Sequence, residues 1–357
     1  MFLDDSACNL ASLNLIKFWD STNKSFLIDD YKHTIQLWTV VLEISVLMAH
    51  YPSPRIAQRS YEFRTLGLGF ANLGATLMLI GVPYDSPESI AISGCLASLL
   101  TSEAYSTSAL MAKQFGPFKY YEQNKEDMLR VIRNHRRAAY NNGYEEYEGL
   151  SIKPLGISSQ YCPPKLLQSA RNSWDNALEL GNKYGYRNAQ VTVIPPTGTI
   201  SLVMDCDTTG IEPDYAIVKS KKLAGGGSLK IINNSIKNAL ASFGYSAEQI
   251  FDIEKYALGY ITVCNDDNKI LEKCPYINSN SLSEKGLSSE FISNLELQLR
   301  KVDDIRSAFN NNLTDDNYLV SLGLTKDMRR QNNARLLSFF GYSDDEIDSA
   351  NEFIYGT

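Results

Sequence analysis

Two short stretches carry residue types that could do chemistry. The first is VTVIPPTGTIS, residues 191–201, in which a β-branched run stops at Pro195 and Pro196 and continues through Thr197, Gly198, Thr199, Ile200 and Ser201. Prolines donate no backbone N–H, so a strand over Val191–Ile194 should end there and turn. The turn sets three hydroxyls around one glycine, so that side-chain and backbone donors could converge on one point. That is a way to hold an anion such as a phosphate without a metal. An ordinary strand end with polar turn residues reads the same way. The second stretch is SACNLASLNL, with Cys8 directly before the apolar positions Leu10, Leu13 and Ile16. At a helix entrance the thiol would have a lowered pKa and be reactive, whereas a packed, inert thiol is the plain alternative.

The elements that must position these residues are mostly helical. Apolar spacing (Leu37, Val41, Ile44, Met48) predicts a helix over Tyr31–His50, ended by Pro52 and Pro54. Ser86-Pro87-Glu88 starts a second, running to Gly116, and a third is expected over Pro164–Lys183 with Leu166, Leu167, Ala170, Trp174 and Leu178 on one face. The uncharged window Leu66–Tyr84 reads as a buried helix rather than a membrane span, because Gly81 and Pro83 cut it short. Helix, short strand and glycine-containing turn in this order predict an α/β layer architecture with parallel strands. Gly225–Gly227 read as a flexible connection. Toward the C-terminus FGYSAEQIFDIEKYALGYIT, from Phe243, returns as FGYSDDEIDSANEFIYGT, from Phe340. Each copy offers a capping box, Ser246 with Gln249 and Ser343 with Glu346. The second copy reaches Thr357, which reads as a chain cut inside a structural unit.

Composition narrows the function classes. With 357 residues and a net charge of −7, the surface is not built to neutralise a nucleic-acid backbone. The basic cluster Arg130, Arg133, His135, Arg136 and Arg137 is expected to be a solvated helix face. Six scattered cysteines form no CxxC pair and no metal site is expected; the three histidines sit in no nucleophile motif. The opening MFLDDSACNL has acids where an export signal has bases, so a cytoplasmic chain with reduced thiols is expected.

Taken together, SACNLASLNL, YEFRTLGLGFANLGATLM, the GPF at Gly116, AQVTVIPPTGTIS, DCDTTGIEPD and KKLAGGGSLKIIN resemble, in order, the catalytic chain of the adenosylcobalamin-dependent (class II) ribonucleotide reductases. INSNSLSEKGL and DDIRSAFN resemble a helical insertion of the longer members. The resemblance implies an α/β fold that is part of a ten-stranded α/β barrel over 1–242, followed over 243–357 by a mainly helical insertion. It implies that Pro196, Thr197, Gly198, Thr199 and Ile200 hold the phosphates of a ribonucleotide substrate. It implies that Cys8 is one of the two thiols that reduce the ribose 2′-carbon by forming a disulfide, with adenosylcobalamin as the radical source.

The family's finger loop, of Asn-Pro-Cys-Ser-Glu type, is absent from the sequence, as is the partner of Cys8, since none of Cys95, Cys162, Cys206, Cys264 or Cys274 falls at a matching position. The chain alone is therefore expected to be inactive, with nucleotide effectors bound by other parts and with a complementing chain or a homodimer as partner. Rival readings are a non-catalytic subunit completed by an upstream polypeptide, a class I large subunit, and a general nucleotide-binding or structural protein.

Overall fold

The computed structural model describes residues 3–222, 228–264, 269–312, 316–323 and 336–357; the glycines at 225–227 lie outside them. The chain forms two compact units, Met1–Tyr215 and Ala216–Thr357, so 216–242 goes with the second.

The first unit runs β1 (Asn9–Asn14), a 3-10 turn, a small hairpin of β2 (Trp19–Asp20) and β3 (Ser25–Phe26), α1 (Ile28–Met48), α2 (Pro54–Phe63) and β4 (Leu66–Ala71). It continues with α3 (Leu73–Ile80), α4 (Pro87–Phe115), α5 (Tyr121–Tyr140), α6 (Pro164–Tyr184) and the short α7 (Gly198–Val203). β1 lies parallel to β4 in a register that sets Asn9 against Leu66 and Asn14 against Ala71. On the other side of β4 the expected strand at 191–194 is an extended segment. Thr192 bridges Leu68, and the backbone bonds Leu66 N to Gln190 O, Leu68 N to Val191 O and Val193 N to Leu68 O run up to the prolines and stop. Among the described residues the sheets do not close into a barrel.

The Leu66–Tyr84 window is not one helix: it is β4 followed by α3. Period-two patterning decides this. Leu66, Leu68 and Phe70 are buried on the face that helices cover, whereas the opposite face carries only the small residues Gly67, Gly69 and Ala71. A Cβ on Gly67 would strike the Leu10 side chain and lie 2.8 Å from the Cys8 sulfur; one on Gly69 would lie 2.5 Å from Pro195 Cδ and from Val193 O. The glycines permit these close approaches.

α1 forms as a helix where the apolar spacing places one. It buries Tyr31, Ile35, Leu42, Glu43 and Val46, while Leu37, Val41, Ile44 and Met48 are exposed. The helix is apolar nearly all round, and the buried face is the one that carries Glu43 to a set of polar partners. Glu43 Oε1 accepts from Arg64 Nε at 2.6 Å and from Arg187 Nε at 2.8 Å, and Oε2 accepts from Asn188 Nδ2 at 2.7 Å. Asn188 also donates to Arg64 O and accepts from Ser108 Oγ of α4. The basic cluster of α5 is committed to partners rather than simply solvated. Arg133 makes a bidentate bond to Glu148, Arg137 binds the same carboxylate, Arg136 binds Asp175, and His135 stacks on Trp174.

The second unit opens with the antiparallel strands Val218–Lys222 and Ser228–Ile232 and continues as helices around a core that includes Ile270, Leu271, Leu295, Phe309 and Ile354. Both capping boxes of the repeat form, starting the helices Ala247–Leu258 and Asp344–Tyr355. The two copies meet at equivalent glycines. A Cβ on Gly356 would lie 2.5 Å from Ala257 O and 2.6 Å from Gly259 N, and one on Gly259 would lie 2.5 Å from Gly356 N. The apposition is backbone to backbone, at positive φ on both sides.

Two outcomes follow from this packing. Glu43→Ala leaves Arg64 and Arg187 facing a cavity and should lower stability by about 3–5 kcal/mol, the cost typical of orphaning a buried charge. Urea unfolding followed by tryptophan fluorescence checks it, since Trp19, Trp38 and Trp174 all lie in the first unit. Gly356→Ala must push the two repeat helices apart at an unfavourable φ, so amide exchange along 247–258 should accelerate well beyond the wild-type rate.

Candidate active site: a turn and a thiol on one sheet face

Cys8 enters a strand, not a helix, because Asn9–Asn14 has a partner ladder in β4 to join. The backbone around it is pinned by Ala7 N donating to Ser60 Oγ at 2.9 Å and by Thr65 Oγ1 donating to Ala7 O at 3.3 Å. The half-buried thiol lies over Gly67 with no helix terminus behind it, and burial pushes its pKa up. The lowered pKa expected of a helix-entrance cysteine is therefore not what this position gives. Cys95 and Cys162 are packed among the helices of the first unit, as expected of small buried thiols.

The turn after the extended 190–193 segment is built differently from a ring of convergent hydroxyls. Thr197 takes a left-handed conformation, φ 53 and ψ 33, with its side chain buried; its Oγ1 donates to Pro196 O at 2.7 Å and accepts from Gly210 N at 2.9 Å. Ser201 is turned inward too, donating to Gly198 O at 2.8 Å. The outward side is made by Pro196, Gly198, Thr199 and Ile200, all exposed. Thr197 makes no side-chain cap to α7, so the first-turn amides meet no capping oxygen, and a Cβ at Gly198 would meet nothing within 4 Å. The exposed side of the turn thus offers Gly198 without a side chain, the Thr199 hydroxyl and the Pro196 and Ile200 side chains, with Thr197 as the internal strut. Gly67 and Gly69 lie on one face of β4, one beneath the Cys8 sulfur and the other against Pro195, so thiol and turn occupy the same side of the sheet.

Three residues of this site gave no sequence signal of their own. Asn72, fully buried at φ 72, receives Thr208 N at 3.0 Å on its Oδ1 and donates to Asn14 Oδ1 at 2.9 Å. Asn14 in turn donates to Met204 O at 3.1 Å. Asn72 was visible only as the one amide in an apolar window, and Thr208 only as part of DCDTTGIEPD. Their meeting depends on β1, β4 and the 204–210 segment ending at the same edge.

Among the described residues no cluster of His, Cys, Asp or Glu could hold a metal ion, and no helix is long and apolar enough to cross a membrane. Two cavities of about 530 and 580 Å³, one beside His135 and Thr192 and one between Trp19 and Pro164, are of the size that suits a drug-sized molecule.

Comparison with known proteins supplies the chemistry that the geometry leaves open. Residues 1–279 match the family model described as ribonucleotide reductase, barrel domain. Over its whole length the chain is 50% identical to a vitamin B12-dependent ribonucleotide reductase of Agrobacterium fabrum and 49% identical to one of Bradyrhizobium diazoefficiens. It spans 27% and 28% of those two relatives. A ribonucleoside-diphosphate reductase subunit alpha of Chlamydia pneumoniae is 27% identical over 71% of the chain and 22% of that relative. The relatives named as vitamin B12-dependent agree with adenosylcobalamin as the cofactor of this group. With a barrel-domain match over most of its residues and half of its positions identical to reductases of that kind, the chain belongs to the ribonucleotide reductase family.

Proposed function

We propose that this chain works in the reduction of ribonucleotides to 2′-deoxyribonucleotides, holding the substrate's phosphates at Pro196–Ile200 and supplying Cys8 as one of the two reducing thiols. The observation that carries the reading is the placement of an open, uncapped turn and a thiol on one glycine-floored sheet face. Anionic phosphate oxygens suit the first-turn amides after Thr197, and Gly198 leaves them unobstructed. In this reading β1, β4 and the 190–193 segment are neighbouring strands of a ten-stranded barrel.

The reduction balances with a second thiol. The ribose 2′-hydroxyl leaves as water, a C–H bond replaces the C–O bond, and two thiols become one disulfide. Two electrons and two hydrogens thus pass from sulfur to substrate. Thiol–disulfide exchange with an external dithiol resets the pair. The sequence contains no Asn-Pro-Cys segment, so the radical cysteine and the second reducing thiol come from another polypeptide segment. The substrate is a ribonucleoside diphosphate, the class named for the Chlamydia relative.

A raised thiol pKa fits this role. A reducing cysteine that stays protonated in the resting state keeps its hydrogen available and resists stray alkylation and oxidation.

Three measurements test the reading. Incubated with CDP, adenosylcobalamin and a dithiol, the chain alone should give no dCDP, and adding a polypeptide that bears the Asn-Pro-Cys-Ser-Glu loop should restore turnover that Cys8→Ser abolishes. Turnover by the chain alone would overturn the division of labour. Gly198→Ala, which meets no protein atom, should fold as the wild type yet bind CDP about tenfold more weakly in equilibrium dialysis, the loss of one charge-assisted contact. Alkylation of Cys8 by iodoacetamide, read by peptide mass spectrometry, should be slower at pH 7 than for a free cysteine. It should keep rising about tenfold per pH unit beyond pH 8.5, where an ordinary thiol begins to level off, because a raised pKa moves the thiolate to higher pH.

A further inference from the structure

The turn that receives the phosphates is not self-supporting. Thr197 is a β-branched residue in the left-handed region, a conformation that costs roughly 1–3 kcal/mol and persists only where its surroundings hold it. Its hydroxyl accepts Gly210 N at 2.9 Å, so the brace comes from the segment that returns after α7. That segment needs an anchor of its own. It leaves α7 through Cys206 N donating to Ser201 O at 2.9 Å and arrives at Thr208, whose N–H donates to Asn72 Oδ1 at 3.0 Å and whose hydroxyl reaches the same oxygen at 3.3 Å. Thr208 Oγ1 also accepts from Ala75 N in the first turn of α3, at 3.1 Å. The other end of the Asn72 amide donates to Asn14 Oδ1, and Asn14 Nδ2 donates to Met204 O. One buried amide therefore ties the ends of β1 and β4 to both ends of the 204–208 segment.

We infer that Asn72 is a positioning residue for the phosphate turn: through Thr208 and Gly210 it holds Thr197 in its left-handed conformation, and so fixes the direction of the amides at Gly198–Ile200. It touches no substrate. The inference rests on the proposed role of the turn. Asparagine is suited to the place twice over, because it tolerates positive φ and its amide offers an acceptor to Thr208 and a donor to Asn14 at once.

The test uses the full chain and CDP in equilibrium dialysis, with cytidine as the probe that lacks phosphates. Asn72→Gly keeps the positive φ and deletes the amide; Thr208→Val deletes the hydroxyl, and Thr208→Ser restores it. The first two should weaken CDP binding about tenfold while cytidine binding stays unchanged, and Thr208→Ser should restore CDP affinity. Amide exchange at Gly210 should rise in the same two variants. If wild type and Gly198→Ala bind CDP no better than cytidine, the phosphate role of the turn is wrong and the inference goes with it. If wild type binds CDP and Gly198→Ala does not, yet Asn72→Gly and Thr208→Val match wild type, only the positioning role is wrong. Should Asn72→Gly fail to fold, the contrast between Thr208→Val and Thr208→Ser decides alone.

Discussion

The first unit is organised around one buried carboxylate. Glu43 is on α1, Arg64 lies two residues before β4, and Arg187 and Asn188 lie just before the extended 190–193 segment; all three partners converge on its two oxygens. Two guanidinium groups and an amide around one carboxylate satisfy a charge that would otherwise be costly so far from water. The geometry has a consequence for register. Because β4 starts two residues after Arg64 and the extended segment two residues after Asn188, fixing those residues to Glu43 fixes where each strand begins. A one-residue slip of β4 would turn Leu66, Leu68 and Phe70 off the helices and send a glycine into their place.

That register assigns the two faces of the sheet to different tasks. One face buries large side chains against α1 and α4 and supplies the apolar burial. The other has glycine at two of its three β4 positions, which forgoes packing but leaves room for the Cys8 sulfur and for Pro195. A strand with two interior glycines is a poor strand by propensity. Its position between two others, on a register fixed by the Glu43 cluster, is what makes it affordable.

The sequence made the long helices legible, because apolar spacing over 20 or more residues and Pro at the first turn are strong local signals. It also made both capping boxes of the repeat legible. β4 was misread because its six residues hold two glycines and four apolar residues, a pattern without polar alternation that suits a buried helix equally well. Apolar spacing located α1 but not which of its sides is buried: Tyr31, Ile35, Leu42, Glu43 and Val46 turn in while Leu37, Val41, Ile44 and Met48 are exposed. The turn at Pro196–Ile200 was singled out by its residue types, yet the direction of its hydroxyls was not legible. Thr197 and Ser201 point inward because of Gly210 N and Gly198 O, and nothing in an eleven-residue stretch announces a partner thirteen positions away.

A phosphate receptor at Pro196–Ile200, as proposed, contains no lysine or arginine. A cationic site attracts phosphate over a Debye length and tolerates a loose geometry, since a point charge acts in every direction. Backbone amides have neither property. Each acts along its own N–H vector, and its worth falls steeply once misaligned. Such a site draws its affinity from rigidity, and the rigidity here is not local: it is carried from the sheet ends through Asn72, Thr208 and Gly210 to one strained threonine. The acidic character of the whole chain is compatible with phosphate recognition for the same reason, because alignment of a few fixed dipoles, not the sign of the surface field, selects the ligand.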